Sequence, residues 1–504
     1  MTTFLIGLVL LIGGGALYGR FCEKVFGADG QRKTPAYTKQ DAIDYVPIKT
    51  WKNTLINLLN IAGTGPIFGP IQGILFGPVA FITIPLGNII GGAMHDYFCG
   101  MICLRDGGAQ MSETVRRYSN RWIYTAYQIF CSLLLLIVGA VFIYTPGDII
   151  ATQILGLDGK PTSLSTWIIY AAIFAYYLAA TVFPIDKIIG KIYPVFGALL
   201  LFSAVGIFAG IFLKGYPLTE LWGSWEAPLA FVMRDGAQVP FSYRDYFSAE
   251  HFIPAFFITV ACGILSGFHS TQTAILSRTV ENERQGRKIF YNSMVLEGLI
   301  AMIWAAAAMG IYNMGMQAAD ANLYSSAVGM ICRDMLGNVG GVAALLGIIV
   351  LPITSGDTAL RGLRLAIAEA FHIDQKSIRK RLALTGVLFV IVAAILVFAK
   401  LSPEGFKILW RYFAWFNQAL SLFAFMVITS WMFEHGKVRF VWMPLIPGAF
   451  YAFVTITYIV NAKIGFGLPW GASYIIGAVF AAAYMVLLLW YGKRRAQRLL
   501  SPTV

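Results

Sequence analysis

The sequence predicts an all-α integral membrane protein with about thirteen transmembrane helices. Three observations lead to this fold class. The 504 residues are 58% hydrophobic and only 12% charged, whereas soluble domains carry roughly 25% charged residues. The apolar residues form runs long enough to cross a bilayer. The basic residues are concentrated in every second connection between these runs, as in multi-pass membrane proteins.

The apolar runs define the predicted helices in chain order. They cover residues 3–19, 54–75, 77–104, 122–144, 166–184, 191–213, 252–277, 289–313, 338–368, 382–400, 408–433, 440–460 and 472–492. The first run has no basic residue before it and is followed by Arg20 and Lys24, which is the reverse of a secretory signal peptide. We therefore expect this run to remain as the first membrane span.

The positions of the basic residues predict the orientation of the chain. With the N-terminus outside, the inner connections hold clusters such as Arg278–Lys288 and Lys376–Arg381, and the outer connections hold few basic residues. Because Lys and Arg favour the cytoplasmic side, we expect an outer N-terminus and a cytoplasmic C-terminus. The net charge of +13 belongs to these connections, so no nucleic-acid partner is expected. The chain has no Walker-type phosphate loop, which argues against an ATP-driven pump.

The second predicted helix is interrupted at Gly63–Pro70, within a run that is rich in Gly and Pro. Proline removes a backbone donor and glycine relaxes the chain, so a regular helix should break here. Lipid cannot satisfy the freed backbone groups, and such a break is tolerated only beside a protein-enclosed or wet cavity. Gly63–Pro70 is therefore the leading candidate for a binding site. The alternative is a kinked structural helix, since Gly and Pro are frequent in membrane spans.

A second interruption is predicted five spans later, at Gly263–Gln272. Because five is odd, two successive five-span units cross the membrane in opposite senses and form an inverted repeat. Paired interruptions at matching positions indicate a transporter site near the membrane midplane. The predicted regions are 1–53 (first span and cytoplasmic loop), 54–213 (first repeat), 214–250 (external loop), 251–433 (second repeat) and 434–504 (two C-terminal spans and a basic tail). The external loop is interpreted as an aromatic interfacial loop or as a lid.

Several short motifs resemble those of the carbon starvation protein CstA family. They are Asn60–Pro70, Gly92–Asp96, Ser266–His269, Leu296–Glu297, Thr354–Arg361 and Asn417–Gln418. The resemblance covers most of the ten-helix core. It implies an inner-membrane transporter for peptides or pyruvate with a LeuT-type five-plus-five inverted repeat.

Ionisable residues inside the predicted spans are candidates for ion coupling, because burying them in a membrane is costly. The candidate set is Ile61, His95, Asp96, Glu297, Thr354, Ser355, Asp357 and Arg361. His95 and Asp96 are a coupling pair or an interfacial anchor, and Glu297 is a proton carrier or a structural carboxylate. Asp357 and Arg361 lie on one helical face and form a salt bridge or take part in a cation site. Resemblance to LeuT-type transporters places sodium between spans two and nine, beside the Ile61 carbonyl and the hydroxyls of Thr354 and Ser355.

The substrate is inferred from the broken helices. The second half of a broken helix presents unpaired amides, here expected at Ile67, Phe68 and Gly69, and their partial positive charge suits a carboxylate. The candidate substrate-binding residues are Gly63, Thr64, Gly65, Pro66, Ile67, Phe68, Gly69, Gln72, Gly267, His269, Gln272 and Asn417. His269 is interpreted as a proton relay in a wet gap or as hydrogen-bonded scaffold.

The sequence therefore predicts a secondary active transporter that imports a small carboxylate-bearing nutrient, a peptide or pyruvate, by alternating access. The coupling ion is a proton or sodium, and no other cofactor is expected. The partners are the small-molecule substrate and the lipid bilayer. The alternatives are a sodium-coupled amino-acid symporter, a passive channel, and a membrane enzyme or sensor, for which no nucleophile motif or signalling domain is found. A metal site would require His95, Asp96, Glu297 and Asp357 to converge.

Overall fold

The protein is a bundle of long helices in the computed structural model. The structure describes residues 1–41, 44–182, 186–226, 228–234, 237–315, 323–374 and 377–500. Nine helices within these ranges are long and apolar enough to cross a membrane. They are Thr2–Phe26, Arg121–Ile154, Pro194–Leu213, Glu283–Asn313, Ser325–Ala368, Ile378–Leu401, Gly405–Glu434, Val438–Asn461 and Trp470–Gln497. The other four predicted spans fall on two interrupted helices, on the shorter helix near residues 166–184, and on helices joined by a π-helical stretch near residues 77–104.

The first half of the chain, up to residue 213, is helical apart from its connections. Its α-helices are α1 (Thr2–Val9), α2 (Gly15–Phe26), α3 (Pro35–Thr38), α4 (Thr50–Ile61), α5 (Gly65–Gly73), α6 (Ala80–Gly87), α7 (Met94–Arg105), α8 (Met111–Tyr118), α9 (Arg121–Ile149), α10 (Leu164–Val182) and α11 (Asp186–Leu213). The π-helical stretches Leu10–Gly14 and Asn88–Ala93 join α1 to α2 and α6 to α7.

The second half adds a β-hairpin and ten helices. The elements are β1 (Pro228–Arg234), β2 (Ala237–Ser242), α12 (Tyr243–Ala249), α13 (Phe252–Thr259), α14 (Ala261–Ile264), α15 (Gly267–Leu276), α16 (Asn292–Asn313), α17 (Leu323–Ala370), α18 (Ile378–Leu401), α19 (Gly405–Glu434), α20 (Trp442–Asn461) and α21 (Trp470–Leu500). The antiparallel hairpin lies in the predicted external loop, so the fold is not strictly all-α.

The surface of the outer helices is apolar. Val9 of α1, Val390 of α18 and Val479 of α21 are 71%, 70% and 64% exposed. Exposed aliphatic side chains on long helices are suited to contact with lipid tails rather than with water. The chain is accordingly a multi-pass membrane protein.

Both predicted interruptions exist, but each is shorter than the sequence suggested. The first is confined to Ala62–Thr64, because α5 begins at Gly65 and keeps Pro70 inside it. The second lies between α13 and α15, where Gly263 has a φ of +93° that favours glycine. His269 and Gln272 are therefore helical residues of α15 rather than part of the gap.

The predicted external loop packs onto the helix ends beside it. Glu220 accepts hydrogen bonds from the backbone amides of Thr2 and Thr3 at 2.7 and 2.8 Å. The ring of Tyr246 packs edge-on against Phe76, with 4.9 Å between centroids. The loop thus joins α1 to the segment that follows α5 of the first broken helix.

Candidate functional site

The two broken helices cross at a stripe of glycines on α5. A Cβ atom built on Gly65 would lie 2.2 Å from Sγ of Cys262, and one built on Gly69 would lie 2.9 Å from the carbonyl oxygen of Thr259. A Cβ atom built on Gly73 would lie 2.1 Å from Cγ2 of Val260. Small residues at every fourth position allow membrane helices to approach each other closely. Gly65 and Gly69, expected to bind substrate, therefore hold the two breaks in direct contact.

The first break does not present the amides that the sequence suggested. The N–H groups of Ile67 and Phe68 both donate to the carbonyl oxygen of Thr64, at 3.2 and 3.0 Å. Pro66 has no N–H, so the expected row of unpaired donors is wrong for these residues. The hydroxyl of Thr64 and the Oδ1 atom of Asn60 are buried without a hydrogen-bond partner among the described residues. The polar groups available for binding at this break are therefore the side chains of Thr64 and Asn60 and not the backbone amides of Ile67 and Phe68.

Asn417 and Gln418 of α19 satisfy backbone groups of the second break. Oδ1 of Asn417 accepts from the Ser266 hydroxyl at 2.7 Å and from the amide of Phe268 at 3.4 Å. Nε2 of Gln418 donates to the carbonyl oxygen of Leu265 at 3.2 Å. Buried backbone groups need such partners. Asn417, expected to contact substrate, therefore holds the start of α15 in place.

Four ionisable side chains from α7, α15 and α16 form a chain in the interior. Oδ1 of Asp96 lies 2.8 Å from Nδ1 of His95, and Oδ2 lies 3.0 Å from Nδ1 of His269. Nε2 of His269 lies 3.5 Å from Oε2 of Glu297. All four side chains have zero exposure. We call this set the buried acid–histidine chain.

The hydrogen-bond directions in the buried acid–histidine chain leave room for one proton between His269 and Glu297. An ionised Asp96 carboxylate only accepts, so both imidazoles present their Nδ1–H to it. Nε2 of a neutral His269 is then an acceptor, and it faces the carboxylate of Glu297, which is also an acceptor. The contact between His269 and Glu297 is stabilised only when a proton resides on one of the two. This pair can therefore hold and release a proton.

Asn88 holds the second break against the helix that carries Glu297. Its Nδ2 atom donates to the carbonyl oxygens of Gly263 and Met294, both at 2.8 Å. Gly298 makes room for it, because a Cβ there would lie 2.5 Å from Nδ2 of Asn88. Asn88 lies in a π-helical stretch, a feature frequent at functional sites. Only its position, as a single Asn in an apolar run, could have drawn attention to it in the sequence.

The candidate cation-binding residues on α17 contact two different helices, α4 and α10. The Ser355 hydroxyl donates to the carbonyl oxygen of Leu59 at 3.1 Å, two residues before Ile61 at the end of α4. Asp357 instead accepts from the Tyr176 hydroxyl of α10 at 2.9 Å. Ser355 thus reaches the first break, whereas Asp357 is directed toward α10.

The remaining two candidates on this helix also bond to backbone. The Thr354 hydroxyl donates to carbonyl groups of its own helix. Arg361 donates to the carbonyl oxygen of Ala180 at 3.2 Å.

Two cavities approach the breaks from opposite sides. The cavity on the predicted cytoplasmic side, called the inner cavity below, has a volume of about 370 Å³ and is lined by Asn53, Asn60, Gln128, Thr271, Gln272 and Arg361 among others. The cavity on the predicted external side, called the outer cavity below, has a volume of about 520 Å³ and is lined by Gln72, Glu250, Thr259, Lys407, Trp410 and Arg411 among others. Each broken helix therefore reaches the inner cavity with one half and the outer cavity with the other.

A metal centre is not formed by the described residues. His95, Asp96, His269 and Glu297 do converge, but no group of three or more His, Cys, Asp or Glu side chains in the described ranges could hold a metal ion. Asp357 lies in a different contact, with Tyr176. The convergence required for a metal site is thus incomplete.

Comparison with known proteins gives a consistent family. A family model described as carbon starvation protein CstA matches residues 1–206, 157–336 and 305–458. An uncharacterized membrane protein of Haemophilus influenzae is 39% identical over 350 residues, which cover 62% of this chain and 92% of that protein. The peptide transporter CstA of Campylobacter jejuni is 22% identical and covers 88% of this chain, with 77% of its own length matched. The pyruvate/proton symporter BtsT of Escherichia coli is 25% identical over 57% of this chain and 45% of its own length.

Solved structures with similar folds are also transporters. The manganese transporter of Eremococcus coleocola, with 11% identity, superposes with a TM-score of 0.56 over 91% of this chain and 99% of that chain. MhsT in complex with L-phenylalanine has 10% identity and a TM-score of 0.53, over 88% and 99%. At such low identity the likeness shows the fold alone, which is of the LeuT type. The relatives and neighbours whose names state a function are transporters and not enzymes.

Proposed function

Because the chain belongs to the carbon starvation protein CstA family, we propose that it is a secondary active transporter that imports a peptide or pyruvate. Transport proceeds by alternating access across the inner membrane. The chain crosses this membrane thirteen times, from an outer N-terminus to a cytoplasmic C-terminus. The spans in residues 54–213 and 251–433 form the two inverted units, and the helices outside them flank this core.

One observation carries the proposal. The two broken helices cross through Gly65 and Gly69, and each contributes one half to the inner cavity and the other half to the outer cavity. A small shift at this crossing would close one cavity and open the other toward the same residues. A passive channel would instead need a continuous path, and no described residue lines both cavities.

The substrate carboxylate is held in the inner cavity, beside the breaks. Arg361 supplies a positive charge, and Asn60 and Gln272 supply amide groups from the two broken helices. A guanidinium and amides are suited to a carboxylate. A volume of about 370 Å³ falls in the range of sites for small molecules.

A proton is the coupling ion favoured by the buried acid–histidine chain. The Nε2 atom of His269 and the Oε2 atom of Glu297 face each other at 3.5 Å, and one proton between them removes the conflict of two acceptors. These side chains come from α15, which follows the second break, and from α16. Binding or loss of this proton therefore changes the contact between the break and its neighbour.

Sodium coupling, as in a sodium-coupled amino-acid symporter, is the second candidate. It is supported by the Ser355 hydroxyl, which lies 3.1 Å from the Leu59 carbonyl oxygen at the first break. Hydroxyl and carbonyl oxygens are ligands for such a hard cation.

Uptake by the purified protein in liposomes tests both candidates. Labelled pyruvate and a labelled dipeptide are compared under an imposed pH gradient, a sodium gradient and neither. We expect one of the two compounds to accumulate under the pH gradient. Accumulation under the sodium gradient alone would replace the proton by sodium, and equilibration without accumulation under every gradient would reject coupled import.

A further inference from the structure

The outer cavity contains a cationic group that the proposed mechanism leaves without a role. Arg411 of α19 is exposed at the wall of this cavity. None of the residues that the structure describes makes a hydrogen bond or ion pair with its guanidinium. Its neighbour Lys407 differs, because Nζ of Lys407 lies 3.2 Å from Oε1 of Glu404. Arg411 therefore keeps its donors available toward the cavity.

The charge of the cavity wall is positive overall. Arg411, Lys407 and Lys463 line it, against the single carboxylate of Glu250. Glu404 offsets the positive charge of Lys407. Two positive charges, on Arg411 and Lys463, then remain against the one negative charge of Glu250. A concave wall with an excess of one charge attracts small ions of the opposite sign.

The remaining wall is suited to a small organic molecule. Trp410 and Trp470 are part of the lining, and Trp470 is fixed by stacking on His251 at 3.9 Å between ring centroids. Indole rings offer apolar contact area beside polar groups. A guanidinium binds a carboxylate through two parallel hydrogen bonds. The wall therefore combines an anion-binding group with surfaces for the apolar part of a ligand.

The cavity also touches the first broken helix. The ring of Trp410 packs edge-on against Phe68, with 5.7 Å between centroids. Nε2 of Gln72, which also lines the cavity, donates to the carbonyl oxygen of Phe68 at 3.4 Å. A ligand in the outer cavity would thus contact the residues that cover the break.

We propose that the outer cavity is a first binding site for the transported carboxylate, with Arg411 as its anion-binding group. The carboxylate is attracted from outside, binds Arg411 and rests against Trp410 and Gln72 before it reaches the crossing of the broken helices. This inference rests on the proposed function, because it takes the transported compound to be a carboxylate.

Uptake kinetics of labelled pyruvate and a labelled dipeptide in proteoliposomes test the site. In Arg411→Gln the charge is lost, and we expect KM to rise about threefold to tenfold for the transported compound with Vmax unchanged. The rise should shrink at high salt, because salt screens attraction between exposed charges. Arg411→Lys should recover much of the affinity. Lys160→Gln, which removes an outer charge that is 70% exposed elsewhere on the surface, should leave KM unchanged.

A binding measurement separates this site from transport. Addition of pyruvate or the dipeptide should change the tryptophan fluorescence of the unmodified protein in detergent, and the change should weaken in Arg411→Gln but not in Lys160→Gln. An unchanged KM in Arg411→Gln, or a lower Vmax alone, would overturn the outer site and leave the proposed function standing. Failure of the unmodified protein to take up either compound would overturn both.

Discussion

His269 and Asp96, 173 positions apart in the chain, form a fully buried hydrogen bond of 3.0 Å between Nδ1 and Oδ2. The bond joins α15, just after the second break, to α7. Asp96 also bonds to His95, and His269 contacts Glu297 on its other side. The two residues therefore connect the broken helix to both of its neighbours.

Asp96 and His269 should be energetically coupled. Removing one partner of a buried hydrogen bond leaves the other without its partner, so we expect Asp96→Asn and His269→Gln each to lower the free energy of unfolding by about 1–3 kcal/mol. The double variant should lose less than the sum, with a coupling energy of about 0.5–3 kcal/mol. Denaturant unfolding of the purified protein measures these values.

The control for this cycle is His435→Gln. His435 bonds to the carbonyl oxygen of Trp431 on the predicted cytoplasmic side, away from Asp96, and its effect should add to that of Asp96→Asn. Additivity of Asp96→Asn with His269→Gln as well would show that the bond contributes nothing.

Gly65 should tolerate no side chain. A Cβ at this position would lie 2.2 Å from Sγ of Cys262, and relief requires a shift of one broken helix against the other. We expect Gly65→Ala to destabilise the protein by about 1–3 kcal/mol and to reduce uptake. Thermal unfolding and liposome uptake are the two measurements.

Gly386→Ala is the matched control for this substitution. Gly386 lies within α18 and has nothing within 4 Å of a built Cβ. Since alanine favours helices more than glycine does, this variant should be at least as stable as the unmodified protein. Equal stability and uptake in both variants would show that the helix crossing is not close-packed.

The sequence predicted the interruptions and the ionisable residues one by one, because both are defined by local chemistry. Gly and Pro break a helix wherever they cluster, and a charged group in an apolar run is costly in any arrangement. The meeting of Asp96, His269 and Glu297 could not be predicted in this way. It depends on the rotation and depth of three helices, which long-range packing determines.

The local sequence does not determine the contacts of Asn417, Asn88 and Pro70. Asn417 was expected to contact substrate, but it bonds to Ser266 and Phe268, and sequence alone does not tell which polar group a side chain will meet. Asn88 is not among the residues predicted from the sequence, because a single amide in an apolar run is compatible with many roles. Pro70 is accommodated inside α5, so the break ends earlier than its composition suggested.

The stability of the protein should depend on pH through Asp106, which follows α7 on the predicted cytoplasmic side. Partial burial raises the pKa of this carboxyl from its ordinary 3.8 to about 6, although Arg117 lies 2.7 Å away and opposes the rise. A raised pKa means that the folded state favours the protonated form. Protonated Asp106 therefore stabilises the folded state fully below about pH 4, and this contribution is lost as the pH rises through about 6.

The side chain in Asp106→Asn cannot ionise. The stability of this variant relative to the unmodified protein should therefore increase as the pH rises from 4 to 8. Thermal midpoints of both proteins over this range measure the difference. In Arg117→Gln the cation that opposes the rise in pKa is gone, so the pH at which Asp106 loses its stabilising contribution should move to a higher value. A difference between the two proteins that is the same at every pH would contradict this assignment.

Glu297 should couple transport to the proton gradient without being needed for movement of substrate. Its Oε2 atom faces Nε2 of His269 at 3.5 Å, and Glu297→Gln places a neutral amide there that can donate a hydrogen bond but cannot release a proton. We expect this variant to lose accumulation of substrate under a pH gradient while exchange of labelled for unlabelled substrate continues. Glu113→Gln, which removes an exposed carboxylate from α8, should retain both activities. If Glu297→Gln loses accumulation and exchange together, the carboxylate supports the helix packing instead, because exchange requires the moving parts but no net proton transfer.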